Sequence, residues 1–152
     1  MVSVGVVDVY AICPRSDPWS VLVLQRGTGT RCPGSWETVH GRIATGEHPE
    51  HAAVRELAEE TGLTPDRLYN VMVQPFYLHG SHVVQLAVVF AAFVSEPVPP
   101  VLGAEHQAAE WMSPESALER LVWPRERAAL RDIVALLGRG DAGTVEDVMR
   151  VF

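Results

Sequence analysis

Between Pro49 and Gly62 the sequence spells one helix that carries three carboxylates. Pro49 suits a first helical position and Gly62 the residue after a last turn, which leaves about thirteen helical residues and a length of roughly 20 Å. Glu56, Glu59 and Glu60 stand at i, i+3 and i+4, so all three can project toward one side, while Ala53 and Leu57 point toward a core. Like charges at this spacing repel, at about a few tenths of a kcal/mol per exposed pair. A solvated face normally mixes in lysines. This segment has none, and only Arg55 offers compensation within it. A cation seated on the cluster explains it better, and an all-oxygen ligand set favours Mg²⁺, Mn²⁺ or Ca²⁺ over zinc or copper. For such a charge run taken alone, a plain acidic helix face is the competing explanation.

The residues ahead of the helix shift that balance. Gly41-Arg42-Ile43-Ala44-Thr45-Gly46-Glu47 is a glycine-bearing loop that feeds into it. Joined to Arg55-Glu56-Leu57-Ala58-Glu59-Glu60-Thr61-Gly62-Leu63 it gives G-x5-E-x7-R-E-L-x-E-E-x-G-L, nine fixed positions over 23 residues. This resembles the Nudix box at every defined position. The resemblance implies a Nudix-type α/β/α sandwich, an α/β fold with a mixed β-sheet in which the box forms a loop–helix–loop. It implies that Glu56, Glu59 and Glu60 hold a divalent metal, Mg²⁺ with Mn²⁺ as a substitute. It also implies that Gly41 offers its carbonyl to the metal, and that Glu47 pairs with Arg55 and so orients the ligands. A carboxylate must take a proton from the attacking water. Glu56 is expected as a ligand and Glu59 or Glu60 as ligand or base; Nudix families differ on which glutamate is the base, and some place it outside the box.

One outside candidate is Glu105. The run Glu105-His106-Gln107-Ala108-Ala109-Glu110-Trp111 resembles the segment after the Pro-rich loop in the dATP and dihydroneopterin triphosphate pyrophosphohydrolase branch, where the glutamate reaches the metal from across the cleft. An ordinary loop carboxylate is the alternative. His106 is expected to be structural or substrate-adjacent. Val39-His40-Gly41 and Trp123-Pro124-Arg125-Glu126-Arg127-Ala128-Ala129-Leu130 resemble the same branch. Arg26, at the end of a strand, is a candidate phosphate clamp. Trp36 either stacks on a base or packs in the core. His40 and Arg42 flank Gly41 as candidate phosphate contacts. Phe76, Tyr77 and His79 are candidates for the cleft wall, with core packing the plainer role for Phe76. His48 and His51 are expected to be exposed on the first helical turn.

The 152 residues, 47% hydrophobic and 20% charged, suit one globular domain over 1–152. A net charge of −7 argues against broad nucleic-acid binding but not against a small anionic, nucleotide-like diphosphate substrate, because a metal supplies local positive charge. Cys13 and Cys32 make neither a disulfide framework nor a zinc site. The N-terminus lacks a basic signal region, and Leu86 to Val94 is far short of a membrane span, so a cytoplasmic location is expected. A homodimer is compatible with the sequence. Strands are predicted at Val2–Ile12, Ser20–Leu24, Trp36–Val39, Val71–Leu78, Val83–Val94 and Ala109–Met112, with a hairpin at His79-Gly80-Ser81. Further helices open at Ser113-Pro114-Glu115 and at Pro124, the latter with an apolar stripe through Ala129, Ile133 and Leu137. The tail after Gly143 reads as a short helix or a swapped strand. The resulting expectation is a hydrolase of a dNTP, dihydroneopterin triphosphate or related compound, releasing pyrophosphate. Dinucleoside polyphosphates, ADP-ribose or nucleotide sugars are the alternative substrates. A non-catalytic nucleotide sensor is disfavoured because every box glutamate is kept.

Overall fold

The computed structural model describes residues 2–152, with only the backbone of Val2. Its strands are β1 (Val2–Cys13), β2 (Ser20–Arg26), β3 (Trp36–Glu37), β4 (Val39–Arg42), β5 (Arg67–Leu78), β6 (Val83–Phe93) and β7 (His106–Met112). The helices are α1 (Pro49–Thr61), α2 (Pro114–Arg120), α3 (Pro124–Leu137) and the short α4 (Glu146–Met149). One mixed sheet runs β3-β2-β1-β6-β5, with β4 added to β1 and β7 to β2. β1 and β6 are parallel, and the other pairs antiparallel.

Strand alternation divides the core between the two faces of this sheet. On one face Val7, Val9, Leu22, Leu24, Phe90 and Ala92 pack against Ala52, Ala53 and Leu57 of α1. On the other, Tyr10, Ile12, Val21, Val23, Val89 and Phe93 pack against Leu130, Ile133 and Leu137 of α3. This is the expected sandwich with a mixed sheet. No helix among the described residues is long and apolar enough to cross a membrane.

Several boundaries differ from the sequence reading, each for a non-local reason. The expected loop from Gly41 to Glu47 starts two residues later: Gly41 and Arg42 belong to the strand Val39–Arg42, which forms because it finds β1, pairing Val6 with Arg42 through Val9 with Val39. β5 begins at Arg67 rather than Val71, since Arg67 lies opposite Phe93 of β6. β7 begins at His106 rather than Ala109, paired with Arg26. The tail forms α4, after which Val151 donates to the carbonyl of Leu68 and Leu68 to that of Phe152, so the end of the chain lies along its own β5.

Two local details position the site. α1 ends where predicted: Gly62 adopts a left-handed φ of 74° and its N–H closes on Ala58. Thr38, between β3 and β4, is where the chain leaves β2 and joins β1.

Candidate active site

α1 presents its glutamates unequally. Leu57 is fully buried, and Glu60, one turn on from Glu56, is only 6% exposed. The Glu59 side chain is 58% exposed. Glu56 and Glu60, four residues apart, therefore turn inward toward β4, and Glu59 stands at the rim. β4 comes so close that a Cβ at Gly41 would lie 2.0 Å from Cδ of Glu56. Glycine is required here by that approach, not by its backbone angles.

Arg55 organises the ring. Its Nε and Nη2 donate to Glu47 at 2.8 and 2.9 Å, and Nη1 donates to Glu56 at 2.7 Å and to Glu59 at 3.2 Å. Nη2 also donates to the carbonyl of Arg42, which ties α1 to the end of β4. The Arg55 hydrogen bonds hold the Glu47 carboxyl down at about 2. Glu56 moves the other way, raised chiefly by burial.

Glu60 is the group most out of balance. Burial, followed by the charges of Glu105, Glu56 and Glu37, pushes its carboxyl up to about 9, and one of its oxygens is buried without a hydrogen-bond partner. The backbone N–H of His40 is a small opposing influence. Among the described residues no three His, Cys, Asp or Glu side chains already converge as a finished metal cage. The donor chemistry nevertheless fits a hard cation: all-oxygen, with one orphaned buried carboxylate oxygen and a glycine backbone pressed against a second carboxylate.

A stability prediction follows for chelator-treated protein. A carboxyl whose folded value lies above its unfolded value binds more protons in the folded state. Its contribution to stability is present below about 4.5 and is lost as pH rises through about 9. The melting temperature should fall between pH 5 and pH 9. Glu60→Gln should flatten that slope; an equally steep slope in the variant would assign the effect elsewhere.

The loop ahead of β7 supplies Glu105. Val101 and Gly103 donate to the carbonyls of Thr61 and Glu60, docking the Pro-rich loop on the end of α1. This brings the exposed Glu105 close enough for its charge to act on both Glu56 and Glu60. Next to it His106 is buried, its Nε2 3.0 Å from Glu37. Arg26 donates to the same Glu37 oxygen at 2.8 Å and to the carbonyl of Arg31 at 2.6 Å. Against its burial, the hydrogen bonds from His106 and Arg26 lower the Glu37 carboxyl. Arg26, the candidate phosphate clamp, has its guanidinium on Glu37, a residue the sequence reading did not single out. Glu37→Ala removes the acceptor of both Arg26 and His106 and should cost about 3 kcal/mol, the low end for breaking a buried pair. Urea unfolding checks this: the midpoint should drop at unchanged slope.

The remaining candidates are spread around this centre. Trp36 lies on the sheet face opposite Glu37, partly buried against the α3-side core, with the Arg120 guanidinium 4.6 Å from its ring centre. Arg42 is exposed and offers its carbonyl to Arg55. His40 places Nδ1 2.6 Å from the buried Asp8, on the α3 side of the sheet. Phe76 is half-buried under the Arg125 guanidinium at 4.7 Å, Tyr77 and His79 are exposed at the hairpin, and His48 and His51 are exposed as expected.

The family model for the NUDIX domain matches residues 3–133. Among curated relatives, an octanoyltransferase of Myxococcus xanthus is 38% identical over 67% of this chain, but the match spans only 29% of that protein. The CTP pyrophosphohydrolase of Escherichia coli is 30% identical over 84% of this chain and 90% of its own length. The structure of the E. coli dihydroneopterin triphosphate pyrophosphohydrolase superposes with a TM-score of 0.74 at 21% identity, covering 86% of this chain and 94% of that one, a likeness of fold. With the box folded as a strand, loop and helix that bring its glutamates and Gly41 together, the chain belongs to the NUDIX family and is a Nudix hydrolase.

Proposed function

We propose that the protein is a Mg²⁺-dependent pyrophosphohydrolase acting on a nucleoside triphosphate or a related compound such as dihydroneopterin triphosphate, giving the monophosphate and pyrophosphate. The single observation behind the metal is Glu60, a buried carboxylate with an unpartnered oxygen, surrounded by the charges of Glu56, Glu105 and Glu37. Such a cluster is stabilised by a divalent cation and destabilised without one. Glu56, Glu60 and the Gly41 carbonyl would hold the ion, with Glu105 approaching from the opposite wall. Bound Mg²⁺, or Mn²⁺ in its place, supplies charge neutralisation of the diphosphate and a more acidic water.

The protein's own groups supply position. Arg55 fixes Glu56 and Glu59 relative to β4, and Glu47 fixes Arg55. Glu59 and Glu105, the two exposed carboxylates beside the cluster, are the groups able to accept the water's proton. A triphosphate substrate is supported by the likeness to the CTP pyrophosphohydrolase across nearly that protein's whole length. The shared sheet under both cores supports one domain over 1–152.

The test is a product analysis with purified protein against ribo- and deoxynucleoside triphosphates, dihydroneopterin triphosphate, dinucleoside polyphosphates, ADP-ribose and nucleotide sugars. The expected result is pyrophosphate plus a monophosphate from one or more triphosphates, stopped by chelator. Exclusive cleavage of ADP-ribose or dinucleoside polyphosphates would overturn the substrate class, and binding without turnover of any compound would make the chain a sensor.

A further inference from the structure

A second polar cluster lies on the far side of β4 from the carboxylates. Asp8 is fully buried in β1, where every neighbour from Val6 to Cys13 is also buried. It accepts from Arg125, in the first turn of α3, and pairs with His40 of β4. The adjacent Glu126, 1% exposed, takes the backbone N–H of Thr38 at 3.1 Å. The Thr38 hydroxyl donates to the carbonyl of Val9 at 2.6 Å, and the Tyr10 hydroxyl donates to the carbonyl of Glu126 at 3.1 Å. The Arg125 carbonyl in turn accepts from Gln74 of β5. The first turn of α3 is thus bonded to β1, to β5 and to Thr38, the residue just ahead of β4, while Asp8 links it to His40 of β4.

Thr38 is where these bonds matter most. At the switch from β2 to β1 its N–H has no ladder partner, and a buried N–H without a partner is costly. Glu126 meets that need. Two residues on, His40 shows one side of the strand to each cluster: its ring to Asp8, its backbone N–H toward Glu60. Gly41 follows, pressed against Glu56. The height of β4 relative to α1 is therefore set from both sides, by Arg55 on one and by the α3 turn on the other.

We propose that Asp8, Arg125 and Glu126 are positioning residues for the metal site: they hold β4 where Gly41 and His40 meet Glu56 and Glu60. This rests on the metal reading above. Their role is distinct from fold stability alone, because loosening β4 changes the distance between ligands that come from two elements. Removing groups that orient ligands typically weakens metal affinity by about tenfold or more.

The experiment is a Mn²⁺ titration of the full chain followed by electron paramagnetic resonance, with thermal melts in parallel. The variants are Arg125→Gln, Glu126→Ala and Glu126→Gln. Arg125→Gln and Glu126→Ala should each raise the Mn²⁺ dissociation constant about tenfold. Glu126→Gln, whose amide oxygen still accepts from Thr38, should stay within about twofold. If Glu126→Ala fails to fold, Arg125→Gln decides, since its side chain is 22% exposed and glutamine keeps most of its length. Unchanged Mn²⁺ affinity in folded Arg125→Gln would overturn the proposal while leaving the metal site intact. Failure of the unmodified chain to bind Mn²⁺ would remove both.

Discussion

Glu56→Gln should lower Mg²⁺-dependent turnover by about a thousandfold while the protein stays folded. The substitution keeps shape and removes charge. Glu56 is the carboxylate on which α1, β4 and Arg55 converge, so its loss takes away a metal ligand and one acceptor of Arg55 together. A thousandfold fall is about 4 kcal/mol of transition-state stabilisation, in the range supplied by a metal acting on phosphoryl oxygens. Stability should move little or rise, because Glu56 is a half-buried carboxylate whose ionised form is disfavoured. Steady-state kinetics at saturating Mg²⁺, with circular dichroism as the folding control, checks it. Turnover within a factor of about three of the unmodified chain would show that Glu56 holds no metal.

Gly41→Ala should cost about a hundredfold in kcat through a single methyl group. The added carbon would sit 2.0 Å from Cδ and 2.3 Å from Oε2 of Glu56, far inside contact distance. Gly41 lies in β4 with both neighbours paired to β1, so the strand cannot retreat cheaply. The Glu56 side chain is the part that gives, and it swings off the metal position. The expected signature is a large rise in the Mg²⁺ concentration needed for half-maximal rate with a small change in melting temperature. A variant with unaltered Mg²⁺ dependence would mean that the contact between Gly41 and Glu56 plays no part in metal binding.

Legibility in the sequence followed the range of the interactions. α1 could be read because its signals are local: Pro49, the spacing of Ala53 and Leu57, and Gly62. The pairing of Glu47 with Arg55 rested on the box pattern, and the structure places Nε and Nη2 of Arg55 on that carboxylate. β4 was missed because His40, Gly41 and Arg42 carry no strand-like alternation; their conformation comes from β1, more than thirty residues earlier in the chain. The partner of Arg26 was illegible for a related reason. A strand-end arginine looks free in sequence, whereas Glu37 and His106 meet it only once β2, β3 and β7 are side by side.

Two signals were present and unused. Asp8 is the sole charged residue in the apolar run Val2–Cys13, and a charge buried in such a run needs a partner. Glu37 sits likewise between Trp36 and Thr38 in a buried strand. Neither residue says from sequence which cation answers it. Arg125 and Arg26 are identified only by the sheet order and by where α3 starts.

If the inward carboxylates of α1 are a divalent-metal platform, the bound metal can be counted directly. A Mn²⁺ titration at neutral pH, read by electron paramagnetic resonance, should show saturable binding to the unmodified chain and its loss in the Glu56→Gln, Glu60→Gln double variant, which should fold at least as well because burial disfavours the ionised form of both carboxyls. Mn²⁺ binding of equal affinity and stoichiometry in the folded double variant would show that Glu56 and Glu60 hold no metal.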